Sequence, residues 1–273
     1  MSALASNAVA GGWLLAGLAS YSVTAVVSAA GEISRKAPIK KMGLWLLIAA
    51  LALNGCAIGS MWMEAGRAPF KTLYETLFLY PFCIALVSLV LVRLHRLSLL
   101  VPVAAGGAIV CLLYAYNRPD LEYVELPPAL QSAWFVPHVI TYFVAYAALF
   151  ISFCLAGLAL LKGRKADPSQ PIPLDSAAHK AAVFGFVTLT FGLAMGAAWG
   201  KSAWGEYWSW DVKENWAFIT WLLYLAYHHV RMLAAWHGRK ALWVNMACFA
   251  AAMFTYLGMH LLPAASGSLH VYQ

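Results

Sequence analysis

Eight stretches of this chain, near 12–30, 43–63, 73–92, 97–115, 134–161, 180–199, 216–236 and 242–262, are apolar over about 20 residues each. Nothing else in the sequence restricts the fold as severely. A bilayer gives exposed N–H and C=O groups no hydrogen-bond partner, so a spanning segment must satisfy its own backbone, and runs of this length do so as helices. Composition agrees: 63% of residues are hydrophobic and 11% charged, against about 45–50% and about 25% in ordinary soluble domains. The expected fold is all-α, a polytopic membrane protein of about eight transmembrane helices forming a single domain over residues 1–273. The N-terminal MSALASNAVAGGWLLAG lacks a basic region and a convincing cleavage site, so the first span reads as retained rather than as a signal peptide.

The net charge of +7 follows from topology. Thirteen of the 18 basic residues fall in loops of one parity: Arg35, Lys36, Lys40 and Lys41; Arg93 and Arg96; Lys162, Arg164, Lys165 and Lys180; Arg231, Arg239 and Lys240. The positive-inside rule places that parity in the cytoplasm and both termini outside. Nucleic-acid binding is thereby disfavoured. The five cysteines, Cys56, Cys83, Cys111, Cys154 and Cys248, all lie in expected spans and form no CxxC, which suits small buried hydrophobes and not a thiol-redox enzyme. Pro168, Pro171 and Pro173 mark the inner linker 162–180 as not helical throughout.

The segment WGKSAWGEYWSWDVKENWAFITW, residues 199–221, holds six of the twelve tryptophans together with Glu206, Asp211, Glu214, Lys201 and Lys213. It falls on the outer face. Composition alone also allows an interfacial tryptophan belt. The register says more: Trp204 and Trp208 are spaced i,i+4 and Trp208 and Asp211 i,i+3, so a helical turn is expected to present them on one face. Gly200 and Gly205 leave room for a ring system, and Lys201 and Lys213 are placed to neutralise carboxylates. The segment reads as a flat aromatic surface beside water, suited to a large planar ligand.

Of the eight histidines, His95, His179 and His237 read as solvated residues of inner loops, and His260 as an interfacial residue near the outer end of the last span. His138, directly after Pro137, opens the fifth span on the outer face, and His270 lies in the outer tail Leu269-His270-Val271-Tyr272. Each fits an interfacial histidine bonded to backbone or water. As a pair on the face that bears the tryptophans, they also fit axial ligands of haem iron. His229 lies about 13 residues into the seventh span, roughly 20 Å deep, where ionisable side chains are rare and usually functional. An interhelical hydrogen bond is its alternative role. His228 points about 100° away, so at most one of the two shares a given site. Arg231 can snorkel to the interface or pair with an anionic ligand group.

Together these residues resemble the haem-handling cytochrome c assembly family, whose hallmark is a WGxxWxWD motif. Trp204-Gly205-Glu206-Tyr207-Trp208-Ser209-Trp210-Asp211 matches it without a gap. The flanks, together with Lys71-Thr72-Leu73-Tyr74-Glu75-Thr76-Leu77, Tyr227-His228-His229-Val230-Arg231 and Leu269-His270-Val271-Tyr272, resemble the CcsA (ResC) branch over residues 70–273. The tail before His270 departs from the branch in length and sequence, and His260 stands where the family has a polar residue other than histidine.

The resemblance implies a membrane subunit of a two-component cytochrome c synthase. It would bring haem b to the outer face for thioether attachment to the CxxCH segment of an apocytochrome c. His138 and His270 would then be the outer axial ligands and His229 the intramembrane one, with Trp199, Trp204, Trp208, Trp210, Asp211 and Trp216 holding the macrocycle. No residue stands out as catalytic, and the chain offers no thiol pair of its own. The implied partner is a CcsB (ResB) type membrane protein. The implied setting is a bacterial inner membrane or a thylakoid-type membrane, with the working face outside the cytoplasm. A haem carrier like CcmC and a transporter without haem remain the alternatives.

Overall fold

The computed structural model describes residues 3–117, 126–162, 172–236, 238–258 and 262. Among them are eight long helices and no strand: α1 (Ala3–Ser34), α2 (Ala37–Ala65), α3 (Leu73–His95), α4 (Leu100–Tyr116), α5 (Phe135–Lys162), α6 (Leu174–Trp204), α7 (Val212–Met232) and α8 (Arg239–Met253). Six are long and apolar enough to cross a membrane. The other two are α4, apolar but of 17 residues, and α7, whose 21 residues include Lys213, Glu214, two histidines and Arg231. The chain is therefore an all-α polytopic membrane protein, with a seventh helix more polar than a free-standing span.

Helix ends follow local chemistry. Gly66 and Gly205 take left-handed φ values of 64° and 87° where α2 and α6 stop, a conformation without the Cβ penalty only for glycine. Thr72 and Glu75 form a capping box at the start of α3, and Asp211 and Glu214 form one at the start of α7. Pro173 immediately precedes α6, so the proline-rich inner linker ends there and His179 is helical.

Contacts divide the chain into two compact units, Met1–Glu125 and Leu126–Gln273, where the sequence reads as one domain. In the first, α1 packs on α2 and α4, and α3 on α4 and α2. Several buried polar groups within it are paired. Asn54, oriented to satisfy its surroundings, accepts from the Tyr21 hydroxyl at 3.3 Å and from Phe82 N–H at 3.2 Å, and donates to Phe78 O at 3.2 Å. It thus supports the turn of α3 that carries Pro81, where the ladder is weakened. Glu75, 2% exposed, accepts from Arg67 Nη2 at 2.8 Å and Nη1 at 3.2 Å, and from the backbone N–H of Lys71 at 2.7 Å.

In the second unit α5 lies along α6 over most of its length, α8 packs on α5, and α7 bridges α8 and α6. Ser152 Oγ donates to Ala178 O at 2.7 Å and accepts from Asn245 Nδ2 at 2.8 Å, linking three helices. Thr220 and Thr255 hydroxyls meet at 2.9 Å between α7 and the π-helical turn Phe254–Gly258 that follows α8. The five cysteines are all free thiols on helices.

The Arg67–Glu75 pair sets a first prediction. Removing one partner of a buried ion pair strands the other charge, at a cost of about 3–5 kcal/mol. Glu75→Ala should lower stability by about that much in detergent unfolding monitored by circular dichroism. Arg67→Leu with Glu75→Leu should cost less than the sum of the single changes.

Candidate functional site

At the end of the second unit where α5 and α7 begin and α6 stops, His138 occupies the first turn of α5. Its Nδ1 lies 2.9 Å from the backbone carbonyl of Gly192 on α6. A carbonyl only accepts, so Nδ1 carries the proton, and in the neutral ring Nε2 keeps its lone pair. The ring fits because of a glycine: a Cβ on Gly196 would sit 2.6 Å from His138 Cε1 and 2.9 Å from Nδ1. Trp199 stacks on the imidazole at 5.7 Å and 23°, while Tyr142 meets it edge-on at 4.8 Å. Trp199 is buried and is itself fixed by donating from Nε1 to Ala129 O at 2.8 Å. Trp204, the last residue of α6, packs edge-on against Trp199 at 4.8 Å.

The tryptophan-rich segment does not continue as a helix. Gly205 ends α6, residues 205–211 are irregular, and α7 starts after Asp211. The expected shared helical face of Trp204, Trp208 and Asp211 is therefore not formed, because the left-handed glycine breaks the register between Trp204 and Trp208. Lys201 Nζ donates to Gly205 O at 2.7 Å, placing a cation on the carbonyl end of α6. Glu214 accepts from Ser209 N and Asp211 N at 2.8 and 3.1 Å, and Asn215 Nδ2 donates to Trp210 O at 2.8 Å. These bonds hold Trp210 at φ 59°. A side chain in that region carries backbone strain of the kind that clusters at ligand sites.

Trp208 and Trp210 meet at 5.9 Å and 83°, edge to face, and both pack against Phe218 of α7. Phe218 and Trp221 lie parallel within 8°. With Thr190, Leu193, Ala194 and Ala197 of α6 they bound an apolar groove of about 450 Å³. At 3.6 residues per turn these α6 positions lie roughly opposite Gly192, Gly196 and Trp199. The sequence's single aromatic platform is thus two surfaces. Trp199 and Trp204 accompany His138 on one side of α6, and Trp208 and Trp210 wall the groove on the other. Trp216 joins neither: it packs on Phe254 at 4.4 Å. Asp211 serves as the N-cap of α7.

His229 is exposed on α7, with Nδ1 2.9 Å from Leu225 O of its own helix, so its Nε2 is also the nitrogen left with a lone pair. Among the described residues it makes no interhelical bond of the kind expected from sequence. Phe218, Leu222, Leu225 and His229 share one face of α7. This stripe runs about 16 Å from the groove toward the opposite end of the helix. His228 instead faces α6, against Phe186 at 5.0 Å and His179 at 5.5 Å. His179, taken from sequence as a solvated loop residue, is a part-buried member of α6. His237, His260 and His270 lie outside the described residues.

Residues 70–265 match the family described as Cytochrome C assembly protein. This chain belongs to that family. Cytochrome c biogenesis protein CcsA of Synechococcus sp. (strain RCC307) is 32% identical over 251 residues, covering 80% of this chain and 81% of that protein. CcsA of Prochlorococcus marinus (strain MIT 9312) is 33% identical over 233 residues, covering 74% and 75%. Among solved structures, the cytochrome c haem lyase CcmF shares the fold, with a TM-score of 0.70 at 18% identity over 96% of this chain. This chain spans 49% of the CcmF chain. The protein is thus a CcsA-type membrane protein of cytochrome c biogenesis.

In this member of the cytochrome c assembly family, seating of the His138 ring depends on Gly196. Gly196→Ala should drive the imidazole off Gly192 O and cost about 1–3 kcal/mol of stability. The near-ultraviolet circular dichroism of the stacked Trp199 should change with it.

Proposed function

We propose that this chain is the haem-binding subunit of a cytochrome c synthase, moving haem b to the outer membrane face and positioning it for attachment to the CxxCH segment of an apocytochrome c. The observation that carries the reading is His138. Its Nδ1–H is bonded to a backbone carbonyl and Trp199 fixes its ring plane, the arrangement that orients and strengthens an imidazole ligand through Nε2. The relatives named for cytochrome c biogenesis support the same class of work.

His229 would take haem at the end of the apolar stripe on α7, with a CcsB (ResB) type partner completing the iron's ligands there. The stripe and the Trp208–Trp210 groove give a porphyrin an apolar path, and Trp210 is 65% exposed at its mouth. His138 and His270 would hold the iron on the outer face, with Trp199 against the His138 ring and Trp204 packed on Trp199. Asp211 and Trp216 position the segment by fixing the start of α7, Asp211 as its N-cap and Trp216 against Phe254 just after α8. Each thioether forms as a cysteine S–H adds across a haem vinyl group, so this chain supplies placement and the apocytochrome supplies the thiols. The excess of basic residues in loops of the other parity supports an outer position for this face, and the membrane we propose is a bacterial inner or thylakoid-type one.

Wild-type protein purified from haem-replete cells should show the Soret band of a bis-histidine haem. His138→Ala and His270→Ala should each alter it, and His229→Ala should lower total haem. Trp210→Gly tolerates φ 59° while removing one wall of the groove, so it should lose haem without losing fold. Co-expressed with the partner and an apocytochrome reporter, the wild type should yield covalent haem. A colourless wild-type preparation would overturn the reading, and haem binding without any covalent product would reduce it to haem carriage.

A further inference from the structure

A second cluster lies between α6 and α7 at the end away from the tryptophan loop, and the reading above leaves it without a task. His179 and His228 face each other at 5.5 Å, and Tyr227 packs on both, at 5.9 and 5.2 Å. His179 Nδ1, His228 Nε2, Tyr227 Oη and Tyr224 Oη are all buried without a hydrogen-bond partner among the described residues. An orphaned buried polar atom is costly, and native structures contain few. Here four belong to one corner, since Tyr224 adjoins Tyr227 at 6.4 Å.

All four can donate. The one carboxylate beside them, Asp175, is taken by Arg231 Nη1. A carboxylate oxygen entering the corner can accept from each of them, with each imidazole in the tautomer that carries its proton on the orphaned nitrogen. Arg231, already paired with Asp175 in the first turn of α6, lies close to both His179 and His228 and is a cation that a second carboxylate can share.

The corner also adjoins the inner end of the proposed haem path. Phe186 touches both Trp221 of the groove and His228. His229, with its free Nε2, is the next residue, on a face about 100° around α7. We infer that His179, His228 and Tyr227 bind a propionate carboxylate of the haem whose iron meets His229. This rests on the haem reading of His229 and adds to it. The carboxylates point to the polar end of the helices and the vinyl edge points toward the tryptophan groove. The corner thus selects which edge of the porphyrin enters first.

The test compares haem with haem dimethyl ester, which lacks the carboxylates, for loading onto purified apoprotein with its partner present. Wild type should prefer haem by about tenfold or more, the size of effect expected of hydrogen bonds to a charged group. His179→Phe and His228→Phe keep the ring packing and should bring the ratio close to one, chiefly by weakening haem. His179→Gln, which retains a donor, should recover part of the preference. Equal loading of both ligands by wild type, or a ratio unmoved by the Phe variants, overturns the inference while leaving haem binding intact. Failure of both ligands to load overturns the haem reading itself. A wild-type ratio of one, with phosphatidylglycerol retained in native mass spectra and lost from the Phe variants, assigns the corner to a lipid phosphate and also overturns the propionate.

Discussion

Within a bilayer a polar atom has no water to fall back on, and this one constraint orders the structure. Each helix satisfies its own backbone, so the side chains that interrupt the apolar pattern must find partners inside the protein. Most do. Glu75 gathers Arg67 and two backbone N–H groups, Ser152 ties Ala178 to Asn245, and Thr220 meets Thr255. These pairs are cross-braces of the two units. The polar atoms that do not close on a protein partner, among them His179 Nδ1, His228 Nε2 and the Tyr227 hydroxyl, therefore stand apart as a class.

Helix α6 organises the second unit because its faces differ in size. Toward α5 it presents Gly185, Gly192 and Gly196, where added Cβ atoms would strike Leu149, Tyr142 and His138. Small residues let the two backbones approach, as they do at close helix contacts in membranes. That approach brings the Gly192 carbonyl within reach of His138. On its other side α6 offers Thr190, Leu193, Ala194 and Ala197, too small to fill the space toward Phe218 and Trp221. The same helix thus makes a tight seam on one side and an open groove on the other.

Much of this was legible in the sequence. The apolar runs located all eight helices, because hydrophobic length decides a membrane span more firmly than propensity does. The Thr72-x-x-Glu75 and Asp211-x-x-Glu214 capping boxes are a local signal that a reading by apolar runs does not use. The helical phase of Trp204 and Trp208 was misleading. It ignored Gly205, whose tolerance of positive φ was the local sign that α6 would stop. His179 was hidden for another reason. Lys180 beside it suggests solvent, but Pro173 starts α6 early enough to carry His179 one and a half turns into the helix. Its meeting with His228 joins residues 49 apart in sequence, which no local pattern reports.

His138 and His229 share one device with different consequences. Each gives Nδ1–H to a backbone carbonyl and leaves the Nε2 lone pair outside that bond. His138 bonds across helices to α6 and is clasped by Trp199 and Tyr142, so its ring direction is set by tertiary packing. His229 bonds back to its own helix and stands exposed, so its direction is set by α7 alone. A ligand at His138 meets a ring already in place, whereas one at His229 must also rely on whatever lies beside α7. On the proposed reading that asymmetry gives direction to the path. The end whose imidazole is directed by its own helix alone is suited to release, and the end with the braced imidazole is suited to hold the iron while bonds form at the porphyrin edge.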